Sequence, residues 1–288
     1  HSALENRVLA TLSMPTYASV LSGRWMRDAE SVAADQLPAR DSWMLLRGIW
    51  DTALCQTERN GILFGQDGRL FEACDTLDST QALASVAALD ALARQTGLDT
   101  TLMIVPLSSA VYPDALPAFY TAADSRALIS SLLSSAQDLR TVDVLESLQA
   151  LPSSTPAYYR TDHHWTADGA LAAAQALARA WGLPAITPGT RQSHPGFYGS
   201  YYARAPSPFI APDTLTFDDH PRLRLWIDGE EKFDLFDPVQ LQSRDRYAAL
   251  LWGNHGRLTC VSDAPDGTLL VVHDSYANAF LPYLTQIF

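Results

Sequence analysis

The sequence predicts an α/β fold: a parallel sheet flanked by helices, with an antiparallel hairpin insertion. Three observations carry this. From Ser79 to Leu145, helix-period stretches alternate with short apolar ones, the pattern of βαβ units. A further apolar run, Thr268–Val272, stops abruptly at His273-Asp274-Ser275 before another helical segment, as a buried strand does at its C-terminal end. Between them, Asp228-Gly229 and Gly253-Asn254-His255-Gly256 each separate two strand-like stretches, which is hairpin chemistry.

In chain order, His1–Leu54 reads as helix-rich, with a cap region at Ala18–Gly23 and apolar residues at helical spacing in Trp25–Asp35 and Asp41–Ala53. The proline-containing stretch Asp35–Arg40 interrupts them, and Asp35 with Arg40 reads as an ion pair fixing that break. Gly61–Phe71 alternates around Gln66-Asp67-Gly68, predicting a hairpin. Ser79–Gly97 is a helix opened by Asp78 or Ser79 and closed by Gly97. Thr101–Val105 is a buried-type strand, Asp124–Leu139 a helix and Thr141–Leu145 a strand. Right-handed crossovers then bring the strand ends at Val105, Leu145 and Val272 along one edge. Ser108 and Ser109 near that edge read as loop residues in preference to cleft lining.

Thr166–Trp181 is a helix capped by Thr166 and ended by Gly182. Thr187–Pro212, rich in proline, glycine and tyrosine, reads as a long loop. Its aromatics Phe197, Tyr198, Tyr201 and Tyr202 either wall the cleft toward a sugar or pack the loop onto the sheet. Leu215–Ile227 with Lys232–Phe236, and Tyr247–Trp252 with Arg257–Val261, form the two hairpins of the insertion, residues 213–263. It is expected to shape access or meet a partner, and not to supply the catalytic groups. Tyr276–Leu284 completes the pattern, so residues 1–288 read as one catalytic domain with a helical N-terminal segment, residues 1–55.

Composition narrows the function. Twenty basic against 32 acidic residues give a net charge of −12, which disfavours a nucleic-acid backbone as partner. Lys232 is the only lysine, so Schiff-base and lysine–phosphate chemistry have almost nothing to use. No run approaches the roughly 20 apolar residues of a membrane-spanning helix, and no signal peptide is recognisable. The chain opens at His1 without a methionine and is still apolar at Phe288, so it reads as a trimmed piece that stops early. Cys55 and Cys74 bracket the first hairpin and are candidates for a bridge, with Cys260 left free.

The chemistry concentrates in Tyr158-Tyr159-Arg160-Thr161-Asp162-His163-His164-Trp165-Thr166. A chain that only folds has little reason to place two imidazoles and a carboxylate at one loop end, because burying them unpaired costs several kcal/mol. Asp162 and His164, two residues apart, suit the roles of orienter and base. The nucleophile such a pair needs is Ser275, at a strand's C-terminal end, where open α/β sheets bind ligands.

Arg-Thr-Asp-His-His-Trp-Thr at 160–166, with His-Asp-Ser-Tyr-Ala-Asn-Ala-Phe at 273–280, resembles the DHHW family, relatives of the alginate O-acetyltransferases within the SGNH hydrolase-like superfamily. Asp35–Arg40, Asn60–Gly65 and Phe197–Tyr201 resemble the family's other recurring blocks, so the likeness covers nearly the whole chain. It implies a flavodoxin-like parallel sheet and a Ser275-His164-Asp162 triad with the serine last in the chain, an order immaterial to geometry. It also implies a carbohydrate substrate, no cofactor, an extracytoplasmic location, secreted or tethered to the membrane's outer face, and room for a membrane-associated partner that hands over acyl groups. One residue departs from the pattern: His273 stands where those relatives have a glycine before Asp-Ser.

The expected activity is therefore serine-dependent O-acetyl transfer to, or acetyl-ester hydrolysis on, a cell-surface or secreted polysaccharide. The Ser275 N–H is expected to face the oxyanion, and Asn278 either adds a second donor or caps the turn. His163, Asp274 and Arg160 are expected in support, Arg160 by pairing with Asp162 or Asp274, and His163 through a hydrogen bond while pointing away from His164. Tyr198, Tyr201 and Trp165 are candidates to touch substrate, Trp165 reading more readily as core. Two competitors stay open: a metal site assembled from Asp162, His163, His164, His273 and Asp274, and a non-catalytic glycan-binding or assembly module on a degenerate scaffold.

Overall fold

A computed structural model describes residues 2, 4–220, 223–264 and 267–288; the sequence expectations touching residues 1, 3, 221 and 222 lie partly outside them. Three helices lead: α1 (Tyr17–Leu21), α2 (Arg24–Asp35) and α3 (Arg40–Ala53). The break between α2 and α3 is fixed by ions, though by more than the expected pair. Asp35 Oδ1 lies 3.5 Å from Arg40 Nε, while Arg7 takes both Asp35 oxygens, with Nη1 at 2.8 Å from Oδ2.

Strands β1 (Glu58–Arg59), β2 (Ile62–Phe64) and β3 (Leu70–Glu72) form an antiparallel sheet, β2 and β3 turning through Asp67 and Gly68, both at positive φ. Helix α4 (Ser79–Thr96) begins on the Asp78 carboxylate, which accepts the Gln81 N–H, and ends at Gly97, φ 67°. Then follow β4 (Thr101–Ile104), α5 (Ser108–Val111), α6 (Ser125–Ser135), β5 (Arg140–Asp143) and α7 (Leu145–Gln149). The pair β4–β5 is parallel, Thr101 opposite Arg140, with α6 in the crossover between them.

Helix α8 (Ala167–Trp181) is the core's spine. Nine of its residues are buried, most of them alanines, which lets neighbouring elements approach closely. The Thr166 hydroxyl accepts the Gly169 N–H at 3.2 Å, and Gly182 ends the helix at φ 66°. The remaining elements are β6 (Thr190–Phe197), α9 (Ser200–Arg204), β7 (Asp213–Asp219), β8 (Arg224–Ile227), β9 (Glu230–Lys232), β10 (Leu258–Val261) and α10 (Ala277–Leu284).

Several expectations are corrected. Strands among the described residues make four small sheets, β1-β2-β3, β10-β8-β9, β4-β5 and β6-β7, and only β4–β5 is parallel, so the single parallel sheet is not there. The expected strand Thr268–Val272 carries no ladder. It alternates like a strand, Leu269 and Val271 packing on the core while Leu270 and Val272 are 84% and 95% exposed, yet no described strand pairs with it. Apolar alternation reports two faces and says nothing of a pairing partner. The long loop 187–212 holds β6, paired antiparallel with β7 along its length, and short α9. Pro195 and Gly196 misled because they sit at a register irregularity, where strands tolerate them.

In the insertion, the β8–β9 hairpin turns at Asp228 (φ 50°) and Gly229 (φ 91°), the signs a two-residue type I′ turn requires. The second hairpin does not form: Arg246–Ala249 is a 3₁₀ turn, and β10 pairs with β8. Cys55, Cys74 and Cys260 are all free thiols, so no bridge closes the first hairpin.

Candidate active site

The 158–166 motif folds back on itself. Tyr158 and Trp165 form an antiparallel bridge, the Tyr159 N–H donates to His164 O at 3.3 Å, and the Thr166 N–H donates to Ala157 O at 2.9 Å. The turn is held from outside. Asp213 accepts from the N–H groups of Arg160 and Thr161 and from the Thr161 hydroxyl at 2.7 Å, while Leu70 N of β3 donates to Arg160 O. Arg160 itself pairs with Asp213, its Nε 3.3 Å from Oδ1, and not with Asp162 or Asp274. Asp213 lies 53 residues along the chain, out of reach of any local pattern.

Asp162 and His164 are both buried. His164 Nδ1 lies 2.6 Å from Asp162 Oδ1, which also accepts the His164 backbone N–H at 2.9 Å. The other carboxylate oxygen accepts the Ser200 N–H at 2.7 Å. His164 Nε2 lies 2.8 Å from Ser275 Oγ, and Ser275 is partly exposed. Acid, imidazole and hydroxyl thus form one chain of hydrogen bonds ending at a partly exposed residue. Burial works against ionisation of Asp162, but the bond and charge of His164, the His163 ring and the Ser200 N–H outweigh it and hold the carboxyl below the usual carboxylate range. With Asp162 ionised, Nδ1 carries the proton and Nε2 is left to accept from Ser275.

Two elements must meet for this. Crossed hydrogen bonds tie them: Trp165 Nε1 donates to Tyr276 O at 2.9 Å, and the Tyr276 hydroxyl donates to His163 O at 2.7 Å. Deeper in, the Tyr283 hydroxyl of α10 lies 2.8 Å from the buried Asp218 Oδ2 and 3.1 Å from Ala167 O, joining α10, β7 and α8.

Of the supporting residues, His163 does not point away from its neighbour. The two imidazoles lie 3.7 Å apart, centre to centre, and His163 Nδ1 meets the Ser200 hydroxyl at 2.7 Å. Burial pushes the His163 pKa down, against the pull of Asp162. Asp274 is exposed and accepts the Tyr276 N–H at 3.0 Å, opening the turn into α10. His273 is exposed, its ring against Asp274 O, and it is not among the positive-φ positions, so its backbone φ does not call for glycine. Asn278 is buried and donates through Nδ2 to Asn254 Oδ1 at 3.0 Å.

The aromatic wall is not found. Trp165, Tyr201, Tyr202 and Phe197 are buried, and Tyr198 stacks on Tyr202 with ring centres 4.0 Å apart and bonds Ile210 O. They hold the 197–210 segment onto the body. The proposed metal set does not gather either: among the described residues only Asp162, His163 and His164 bring donor atoms within 4.8 Å of one another. His273 and Asp274 stand outside that group, and the Nδ1 atoms of both histidines are committed to Ser200 and Asp162.

Four contributors escaped the sequence reading: Gly199, Ser200, Asp213 and Tyr247. Gly199 and Ser200 carried a signal, since they lie in one of the recurring blocks. A Cβ at Gly199 would stand 2.2 Å from Asp162 Cβ and 2.3 Å from its Oδ2, so only glycine lets the acid sit there. Tyr247 lies face to face with His164, ring centres 3.6 Å apart and planes 8° from parallel.

An acid–imidazole–hydroxyl relay recurs on unrelated folds, so the geometry alone names a chemistry and not a family. Residues 59–194 match the family model for the SGNH hydrolase-like domain of acetyltransferase AlgX, and residues 146–288 match that of the DHHW proteins. Together they span 59–288 and show the kinship read from the motifs: the chain is related to the DHHW proteins and to the alginate O-acetyltransferases. A probable alginate O-acetylase AlgJ of Pseudomonas syringae pv. tomato is 31% identical over 60% of this chain and 47% of its own length; one of Pseudomonas fluorescens is 30% identical over 56% and 44%. The chain thus spans about half the length of the curated relatives it matches. Among solved structures, a DHHW family protein from Eubacterium siraeum superposes with a TM-score of 0.64 at 22% identity, covering 80% of this chain and 81% of that one. Bacillus cereus PatB1 gives 0.65 at 18% identity, covering 79% and 84%. At these identities the likeness speaks for the fold.

Proposed function

We propose that this chain is the catalytic domain of a serine-dependent O-acetyltransferase or acetylesterase acting on a polysaccharide outside the cytoplasm. The observation that carries the reading is the relay from Asp162 through His164 to Ser275, with bonds of 2.6 and 2.8 Å, ending at a partly exposed residue. The acetyl group and the carbohydrate come from the kinship with proteins named as alginate O-acetylases; the extracytoplasmic setting is what the resemblance in the motifs implies. No helix among the described residues is long and apolar enough to cross a membrane.

In this mechanism His164 takes the Ser275 proton at Nε2 as Oγ attacks the acyl carbonyl, and Asp162 stabilises the imidazolium through Nδ1. The Ser275 N–H faces the oxyanion, with Asn278 as second donor, steered by Asn254. Collapse of the tetrahedral adduct expels the donor's alcohol or thiol, which takes the proton from His164, and leaves an acetyl ester on Ser275. A sugar hydroxyl, deprotonated by His164, then attacks that ester and regenerates the serine; water in its place makes the enzyme an esterase.

The test uses p-nitrophenyl acetate as donor. Wild type is expected to release p-nitrophenol, and Ser275→Ala, His164→Ala and Asp162→Ala to lose at least about 10³-fold in kcat. Unchanged turnover in Ser275→Ala would remove the serine mechanism. Adding neutral and uronate oligosaccharides to the same tube separates transfer from hydrolysis. Bacillus cereus PatB1 has also been solved with a sulfonyl adduct, which suggests a second reagent: a sulfonyl fluoride should label Ser275 here.

A further inference from the structure

We infer that Tyr247 is a positioning residue for the acyl-transfer step, its ring holding the His164 imidazole and favouring the protonated form that arises when Ser275 gives up its proton. The inference rests on the triad reading above. Tyr247 sits in a 3₁₀ turn of the insertion, the part of the chain expected only to shape access, and it is buried. Its ring covers His164 at 3.6 Å and 8°, close to a parallel stack, while the His163 ring lies 3.7 Å away at a 37° tilt. Its hydroxyl donates to Ser275 O at 3.3 Å, so one side chain touches both the base and the backbone of the nucleophile.

Two physical effects follow. A flat ring against the imidazole blocks rotation about χ2, so Nδ1 stays on Asp162 and Nε2 stays on Ser275 Oγ; misplacement of a reacting group by about 1 Å costs on the order of 10² in rate. The electron-rich face of a tyrosine also attracts a cation within about 6 Å of its centre. As the base, His164 gains its charge when it takes the Ser275 proton, so this attraction acts on the transition state and not on substrate binding. The groups around His164 are Asp162 on Nδ1, Ser275 on Nε2, and His163, Tyr247 and Tyr276, the last with its ring centre 5.1 Å away, with Asp274 beside Ser275. Among these Tyr247 is the stacked, uncharged ring.

Tyr247→Leu keeps an apolar cover and removes the aromatic face; Tyr247→Phe keeps the face and removes the hydroxyl. With p-nitrophenyl acetate, Tyr247→Leu should lower kcat about tenfold, with KM changed by no more than about twofold, and Tyr247→Phe should stay within about threefold of wild type. Equal losses in the two variants, or a full kcat in Tyr247→Leu, overturn the inference. Ser275→Ala run beside them separates the two levels: an active Ser275→Ala sinks the triad and the inference together, whereas a dead Ser275→Ala with a fully active Tyr247→Leu sinks the inference alone. The wild-type protein supplies a check that needs no destabilised variant. The His164 Cε1–H resonance, assigned by its loss in His164→Gln, should be shifted upfield by the tyrosine ring; a random-coil position overturns the inference.

Discussion

Replacing Gly199 with alanine tests whether the site depends on how closely two segments approach. The added methyl carbon would lie 2.2 Å from Asp162 Cβ, 2.3 Å from Oδ2 and 2.6 Å from Cγ, where ordinary contact begins near 3.4 Å. Relief requires a displacement of about 1 Å, and Asp162 is buried, with both oxygens engaged by His164 and the Ser200 N–H. Its bond to His164 Nδ1, now 2.6 Å, would lengthen beyond hydrogen-bond range. A reacting group misplaced by that distance loses about 10² in rate, and complete loss of the acid's orienting role about 10⁴. Overpacking also costs about 1–3 kcal/mol of stability. The assay is kcat on p-nitrophenyl acetate beside a thermal melt. A folded Gly199→Ala with wild-type kcat would show that Asp162 is not held by close approach, and the account of how the acid is positioned would be wrong.

Two further outcomes can be checked together. Tyr283→Phe removes a hydroxyl 2.8 Å from the buried Asp218 and should cost about 1–3 kcal/mol in urea unfolding, whereas an unchanged midpoint would show that the α8–β7–α10 junction does not depend on it. For pH, both His163 and Asp162 have folded-state pKa values below their unfolded ones, His163 through burial and Asp162 because its hydrogen bonds outweigh burial. Each therefore contributes stability that is present above the unfolded value and lost as pH falls, His163 below about 6.5 and Asp162 below about 4. The urea midpoint should drop between pH 8 and pH 5, and His163→Gln should flatten that step; a step of the same size in the variant contradicts the assignment.

What could be seen in the sequence was local. Thr166, Gly182, Asp78 and Gly97 announced helix ends because capping is decided within one turn, and Asp228-Gly229 announced its hairpin because positive φ selects those residues. Asp162, His164 and Ser275 stood out because unpaired polar groups are costly in a fold and the motif around them is dense. What stayed hidden was pairing at a distance. No feature of Arg160 names Asp213, no feature of β6 names β7, and Thr268–Val272 has a strand's alternation without a strand's partner. Tyr247 read as a strand residue, because a stack on an imidazole more than 80 positions earlier leaves no mark on its neighbours.

The two crossed bonds between Trp165 and Tyr276 and between Tyr276 and His163 join residues 111 and 113 apart. A molecule whose α8 and histidine loop are formed but whose α10 has come away would keep most of its helix signal and possess no nucleophile. On the proposed function, acetate release would be a gauge of complete docking, and during gradual denaturation it should vanish ahead of the circular-dichroism change.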